Sequence, residues 1–135
     1  MKDEEIWWKD SFITLGKATS RLREAVQYWD VVRNEYAMDS CIQRFEFVFE
    51  LYWKLLKKIL TYSKVTASGP KDVIGKAYQF ELINDEQAWL AMLKDRNRTS
   101  HLYSKEEAEE VFRNIQGYLP VLEETYAKLK QRYQL

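Results

Sequence analysis

Four glycines and two prolines are all that punctuate the 135 residues of this chain. Sheet proteins need turn residues every 8–12 positions or so, because short strands must reverse direction. So sparse a supply of breakers points instead to long helices. Apolar residues make up 46% of the chain, enough for one substantial core at this length. The expectation is an all-α protein, an up-and-down helical bundle of about five helices, with residues 1–135 forming a single domain.

Apolar spacing locates those helices. The first is expected from near Asp3 or Asp10 to about Tyr28–Asn34, with Ile13, Leu15, Leu22, Val26 and Trp29 as an imperfect stripe. The second spans Met38 to Lys64. It opens with a serine and a glutamine three apart, Ser40 and Gln43, and then repeats Phe45, Phe49, Tyr52, Leu56 and Ile59 at helical spacing. "VTASGP" ends it, and Pro70 suits the first turn of a short third helix over about Lys71–Phe80. Asn84 and Gln87 repeat the capping pattern before a fourth helix. Ser104 and Glu107 form the clearest capping box, before a fifth. Gly117 and Pro120 are expected to kink or split that last helix. No segment reads as a strand.

Charge and sulfur chemistry exclude several classes. Lys plus Arg and Asp plus Glu balance at 21 each, so any nucleic-acid site must be a local cluster rather than a global field. Cys41 is alone, so neither a disulfide framework nor a zinc-type cysteine spacing is available. One histidine and one cysteine make a structural metal site improbable, and no cofactor is expected. The opening "MKDEEIWWKD" is acidic and lacks the apolar run of a signal peptide. No stretch approaches a membrane span. A soluble, cytoplasmic protein is expected.

Three features stand out from a generic bundle. In "RFEFVFELYWKLLKK", Glu46 and Glu50 lie one helical turn apart and Lys54 one turn further, among aromatics on nearly every side. They form either a surface ion pair or a polar seam lining a cleft or a dimer interface. Lys54, Lys57, Lys58 and Lys64 make a basic run that could hold phosphates but is more commonly a solvated face. The third feature is "KDRNRTSHLYS", which holds the only histidine. On a regular helix Arg96 and His101 stand about 140° apart, whereas Asn97 and His101 share a face. Thr99 and Ser100 are weak helix formers, and Ser104 must leave helical geometry to cap the next helix. The fourth helix should therefore end near Ser100–Leu102. Its loosened end could turn His101 towards Arg96, or a symmetric dimer could bring an Arg and a His from each copy together. The plainer alternative is a histidine that caps a helix C-terminus.

Arg96, His101 and Tyr103 together resemble the R-x4-H-x-Y signature of HEPN domains. The segments Ile42–Leu60, Gly69–Ile83 and Trp89–Tyr103 resemble, in order, the nucleotidyltransferase substrate-binding proteins. That resemblance implies a small HEPN-like antiparallel bundle that forms a homodimer. It also implies a partner, a minimal nucleotidyltransferase, with which some such proteins form toxin–antitoxin pairs. The Gly-Ser turn and paired aspartates of the transferase itself are missing from this chain, so it is expected to be the partner subunit.

Two functions follow from the resemblance. As a binding module, the chain contributes a nucleotide or substrate cleft in which Arg96 holds phosphate and Asn97 and His101 shape the site, with Glu46, Glu50 and Lys54 along its wall. As an enzyme, it is a metal-independent ribonuclease, with His101 moving protons and Arg96 stabilising phosphorane charge. The resemblance also implies that Tyr103 can accept nucleotide from the transferase, as in some such pairs; the alternative is an ordinary tyrosine packing its ring at a helix junction.

Overall fold

The computed structural model describes residues 5–135. Among the described residues there are five α-helices, α1 (Lys9–Val32), α2 (Glu35–Tyr62), α3 (Pro70–Gln79), α4 (Glu86–Arg98) and α5 (Lys105–Arg132). A single 3-10 turn, Thr99–His101, follows α4, and the described residues contain no strand. The alternative start of the first helix at Asp3 lies outside the described residues.

Side-chain pairs fix the topology. Trp8 meets Tyr62 and Lys58 reaches Ser11, so α1 and α2 run antiparallel. Phe12 stacks on Tyr126 and Trp29 packs on Phe112, so α5 also runs against α1. It therefore runs alongside α2, where Phe45 meets Tyr118 and the buried Tyr52 hydroxyl donates to the Leu122 carbonyl at 2.8 Å. Helix α4 lies antiparallel to both, with Trp89 against Tyr52 and Asp95 against Tyr118. Helix α2 touches all four others and is the axis of the bundle.

The α2 stripe is buried as its spacing predicts: Phe45, Phe49, Tyr52, Leu56 and Ile59 are wholly inside. Each such side chain contributes about 1.5–3 kcal/mol when taken out of water. The α1 stripe is less regular. Leu15 and Leu22 are buried, but Ile13 faces solvent because Phe12 takes the core position beside it.

Two helix starts differ from the sequence expectation. Helix α2 begins at Glu35 rather than Met38, because Asn34 is its cap and accepts from the Ala37 N–H at 2.8 Å. Ser40, expected to cap, lies inside the helix. Helix α4 is capped by Asp85, which accepts from the Ala88 N–H at 3.1 Å. The neighbouring Asn84 instead takes the Lys128 ammonium at 2.6 Å. Asn, Asp and Ser are near-equal caps, so spacing alone could not choose between adjacent candidates. Ser104 does cap α5, accepting from the Glu107 N–H at 3.1 Å. Helix α5 is not split at Pro120 but continues for 28 residues. Leu119 and Leu122 are buried around that point, and this packing holds the helix together despite one missing donor.

Candidate functional site

The site grows from the end of α4. Trp89, Met92 and Asp95 follow one another at helical spacing and all are buried. Asp95 is therefore a carboxylate in a core position, only 3% exposed. It is satisfied from α5: Asn114 Nδ2 donates at 3.0 Å and the Tyr118 hydroxyl at 2.5 Å. Arg98 Nη1 lies 3.3 Å from both Asp95 and Glu110. The Tyr118 hydroxyl is pushed well above the ordinary tyrosine range, by burial first and then by its bond to Asp95. This network clamps α4 to α5.

One residue further, the helix has turned by about 100°. With Asp95 facing α5, Arg96 consequently faces α2. Its Nη2 donates to Glu50 Oε2 at 2.6 Å, and its Nη1 to Asn97 Oδ1 at 3.3 Å. Its Nε is buried and has no hydrogen-bond partner among the described residues. Glu50 also pairs with Lys54 at 3.3 Å. Partial burial works to raise the Glu50 pKa. The Trp53 hydrogen bond and the Arg96 and Lys54 charges outweigh it, so the carboxyl sits below its usual range. The Glu50–Lys54 surface pair is thus present and is extended by Arg96, while Glu46, exposed one turn away, meets Thr99 instead.

Helix α4 ends at Arg98, two residues before the expected Ser100–Leu102, and the 3-10 turn Thr99–His101 carries the chain into that region. The Thr99 hydroxyl lies 2.7 Å from the Arg96 carbonyl and 2.9 Å from Glu46 Oε2, competing for backbone that the helix would use. Leu102 is extended and Ser104 begins the next helix. His101 and Tyr103 stand on this short connection, both exposed, with His101 Nδ1 3.1 Å from the Tyr103 hydroxyl. His101 has turned to Tyr103, and it makes no hydrogen bond or ring contact with Arg96 in this chain.

Two grooves meet here. One, of about 610 Å³, is lined by Gln43, Arg44, Glu46, Phe47, Glu50 and Arg96, with Ser40 at its edge. The other, of about 460 Å³, is bordered by Glu46, Thr99, Leu102, Tyr103 and Lys105 among others. They share Gln43 and Glu46. The structure thus joins Arg96, Asn97, Glu46, Glu50 and Lys54, and sets His101 and Tyr103 beside them as a separate pair.

Sequence reasoning missed Asp95, Asn114, Tyr118 and Thr99. Asp95 did carry a signal, since it continues the Trp89–Met92 stripe. Its partners on α5 carried none. The aromatic surplus of α2 is largely core, because Phe45, Phe49 and Tyr52 are buried, while Phe47 is 59% exposed beside Arg96. Of the basic run, Lys54 pairs with Glu50 and Lys58 donates to Ser11. Among the described residues no three His, Cys, Asp or Glu side chains converge as a metal site. No helix among them is long and apolar enough to cross a membrane.

A small antiparallel helical bundle presenting an arginine-centred groove beside an exposed His–Tyr pair defines the class as HEPN-like. Residues 10–131 match the family described as nucleotidyltransferase substrate binding protein like, and the chain belongs to that family. It is 38% identical over 100 residues to the probable ribonuclease HepT of Haemophilus influenzae, covering 70% of this chain and 68% of that protein. The solved structure of HI0074 from Haemophilus influenzae, described as the fold of a substrate binding domain of a nucleotidyltransferase, superposes with a TM-score of 0.80. Identity is 28%, over 88% of this chain and 98% of that one. A solved Thermus thermophilus protein superposes with a TM-score of 0.77 at 30% identity, over 86% of this chain and 98% of that one.

Proposed function

We propose that this chain is the HEPN-type partner subunit of a minimal nucleotidyltransferase and lends it a cleft for nucleotide or substrate. The observation that carries this reading is Arg96: partly buried at a groove wall, turned to that side by the seating of Asp95, with Nη1 and Nη2 each committed to a single hydrogen bond. A planar guanidinium so placed suits phosphate. Glu50 and Asn97 each take one of its N–H groups, Glu46 lines the same groove, and Lys54 pairs with Glu50. Family membership and the likeness to HI0074 support the transferase as partner. In this reading residues 1–135 work as one cytoplasmic domain. Two copies pair through the face around Phe47, whose exposed ring stands at the rim of the Arg96 groove. Sedimentation of the chain alone and mixed with its transferase tests this. A dimer and a heavier complex are expected; monomer that ignores the transferase at micromolar concentration would overturn the reading.

A second reading is favoured by the likeness to a probable ribonuclease and by the exposure of His101. Here the protein is a metal-independent endoribonuclease toxin that its transferase neutralises. His101 of one copy takes the proton of a ribose 2′-hydroxyl, the 2′-oxygen attacks phosphorus to give a 2′,3′-cyclic phosphate, and the 5′-oxygen leaves with a proton from the protonated His101 of the second copy. Arg96 stabilises the charge on the phosphorane-like transition state. Because Arg96 and His101 are not joined within one chain, the dimer would assemble the pair from two copies. RNA cleavage that survives a chelator and is lost in Arg96→Ala and His101→Ala is expected on this reading. RNA left intact by the wild type would remove it.

Tyr103 completes the proposal as the acceptor of a nucleotide. Its phenolic oxygen attacks the α-phosphorus of ATP on the transferase, pyrophosphate leaves, and His101 at 3.1 Å can take the proton. The added phosphate sits beside the Arg96 groove and competes with substrate phosphate there, which switches the protein off.

A further inference from the structure

A cavity of about 400 Å³ lies where the α1–α2 turn meets the start of α5, and none of the functions above uses it. Its inner wall is apolar, made of Trp29, Met38 and Phe112. These side chains belong to a small cluster around Ala25 and Cys41, separate from the main core. The Trp29 and Phe112 rings lie 4.5 Å apart at 54°. The Arg33 guanidinium lies over the Trp29 ring at 4.5 Å. Arg33 is fixed there by its left-handed backbone, φ 52°, and by a 3.3 Å bond from its Nε to the Asp30 carbonyl. The rim carries Lys105 and Arg113 opposite Glu35 and Asp39. None of these four side chains makes a hydrogen bond or ion pair among the described residues.

A packed core has no use for a half-exposed indole under a guanidinium, ringed by unpaired charges. A planar ligand with a phosphate does. The volume falls in the range of about 300–1,000 Å³ usual for small-molecule sites. Aromatic faces stack nucleobases whatever their sequence, and a guanidinium adds cation–π attraction. The free carboxylates can accept from an exocyclic amine or ribose hydroxyls, and the free cations can hold phosphate. The cavity is continuous with the Tyr103 groove, sharing Glu35, Asp39, Lys105 and Ala108 with it. One nucleotide can therefore span the two.

We propose that this cavity is a nucleobase subsite for a nucleoside phosphate, with the base stacked at Trp29 and Arg33 and the phosphate towards Lys105. It rests on the reading of the chain as a nucleotide-handling partner and adds where the base is held. Titration calorimetry of the full chain with adenosine 5′-monophosphate, and with inorganic phosphate for comparison, tests it in Trp29→Leu, Arg33→Ala and Arg96→Ala. The monophosphate should bind more tightly than phosphate, and Trp29→Leu and Arg33→Ala should each weaken it about fivefold or more. Phosphate affinity should be unchanged in Trp29→Leu. Should that variant unfold, the exposed Arg33→Ala decides alone. Unaltered affinity in Arg33→Ala, or no preference over phosphate, overturns the subsite. Affinity lost only in Arg96→Ala also overturns it, while leaving the Arg96 cleft as the nucleotide site. Affinity lost in the Trp29 and Arg33 variants, in a chain that ignores its transferase, keeps the subsite and sinks the partner reading.

Discussion

Glu50 Oε2 lies 2.6 Å from Arg96 Nη2, so the arginine aimed at the groove is already bound to a carboxylate. Phosphate must compete with Glu50 for the same fork of donors. Removing the negative charge while keeping the shape should therefore favour anions. In Glu50→Gln, phosphate and nucleotide affinity at the Arg96 groove should rise severalfold, measured by calorimetry. A weakened affinity would mean that Glu50 positions Arg96 rather than competing with its ligand.

The same pair sets an acid limit. The Glu50 pKa is depressed in the fold, so its contribution is fully present above the unfolded value of about 4.3 and is lost as pH falls through the lower folded value. At about 30% exposure the pair contributes only ~0.5–1 kcal/mol. Urea unfolding should show wild type more stable than Glu50→Gln by that amount at neutral pH, with the gap closing in acid. A gap that does not depend on pH would assign the effect to packing.

Asp95 is the residue on which the site's aim depends. Tyr118→Phe removes one bond to a buried carboxylate and should cost about 1–2 kcal/mol. Asp95→Ala strands Asn114, Tyr118 and Arg98 together and should cost more, about 3–4 kcal/mol. Denaturant melts give both values. Equal losses would show that the Tyr118 bond carries the whole network.

Legibility followed the range of the interactions. The α2 stripe and the Ser104 cap are written in neighbouring residues and are found as expected, and the end of α4 is legible to within two residues of its place. Asp95 was passed over because a lone acid in "KDRN" looks solvated until Asn114 and Tyr118, nineteen and twenty-three positions away, are placed against it. The Trp29–Arg33 cavity was invisible for the same reason, since its third wall comes from α5. Arg96 and Glu50 were both singled out, but their pairing needed the antiparallel register of α4 on α2.

Cys41 reports on opening of the bundle. It is fully buried, and burial, with Asp30 adding to it, pushes its thiol up to about 11. A thiol reagent at a mildly alkaline pH should leave it untouched in the native protein and modify it at the rate of unfolding. Prompt reaction would show that the satellite cluster around Trp29 and Phe112 opens locally.

The most direct test is intact mass after incubation with the cognate nucleotidyltransferase, ATP and magnesium. It requires the transferase to recognise the bundle and nucleotide to reach the end of it that carries Arg96, His101 and Tyr103. Tyr103 is 84% exposed with His101 at its hydroxyl. Wild type should gain mass in adenylyl steps, His101→Ala should gain it more slowly, and Tyr103→Phe should not gain it. An unchanged wild-type mass, or a Tyr103→Phe variant modified as readily as wild type, would contradict the site.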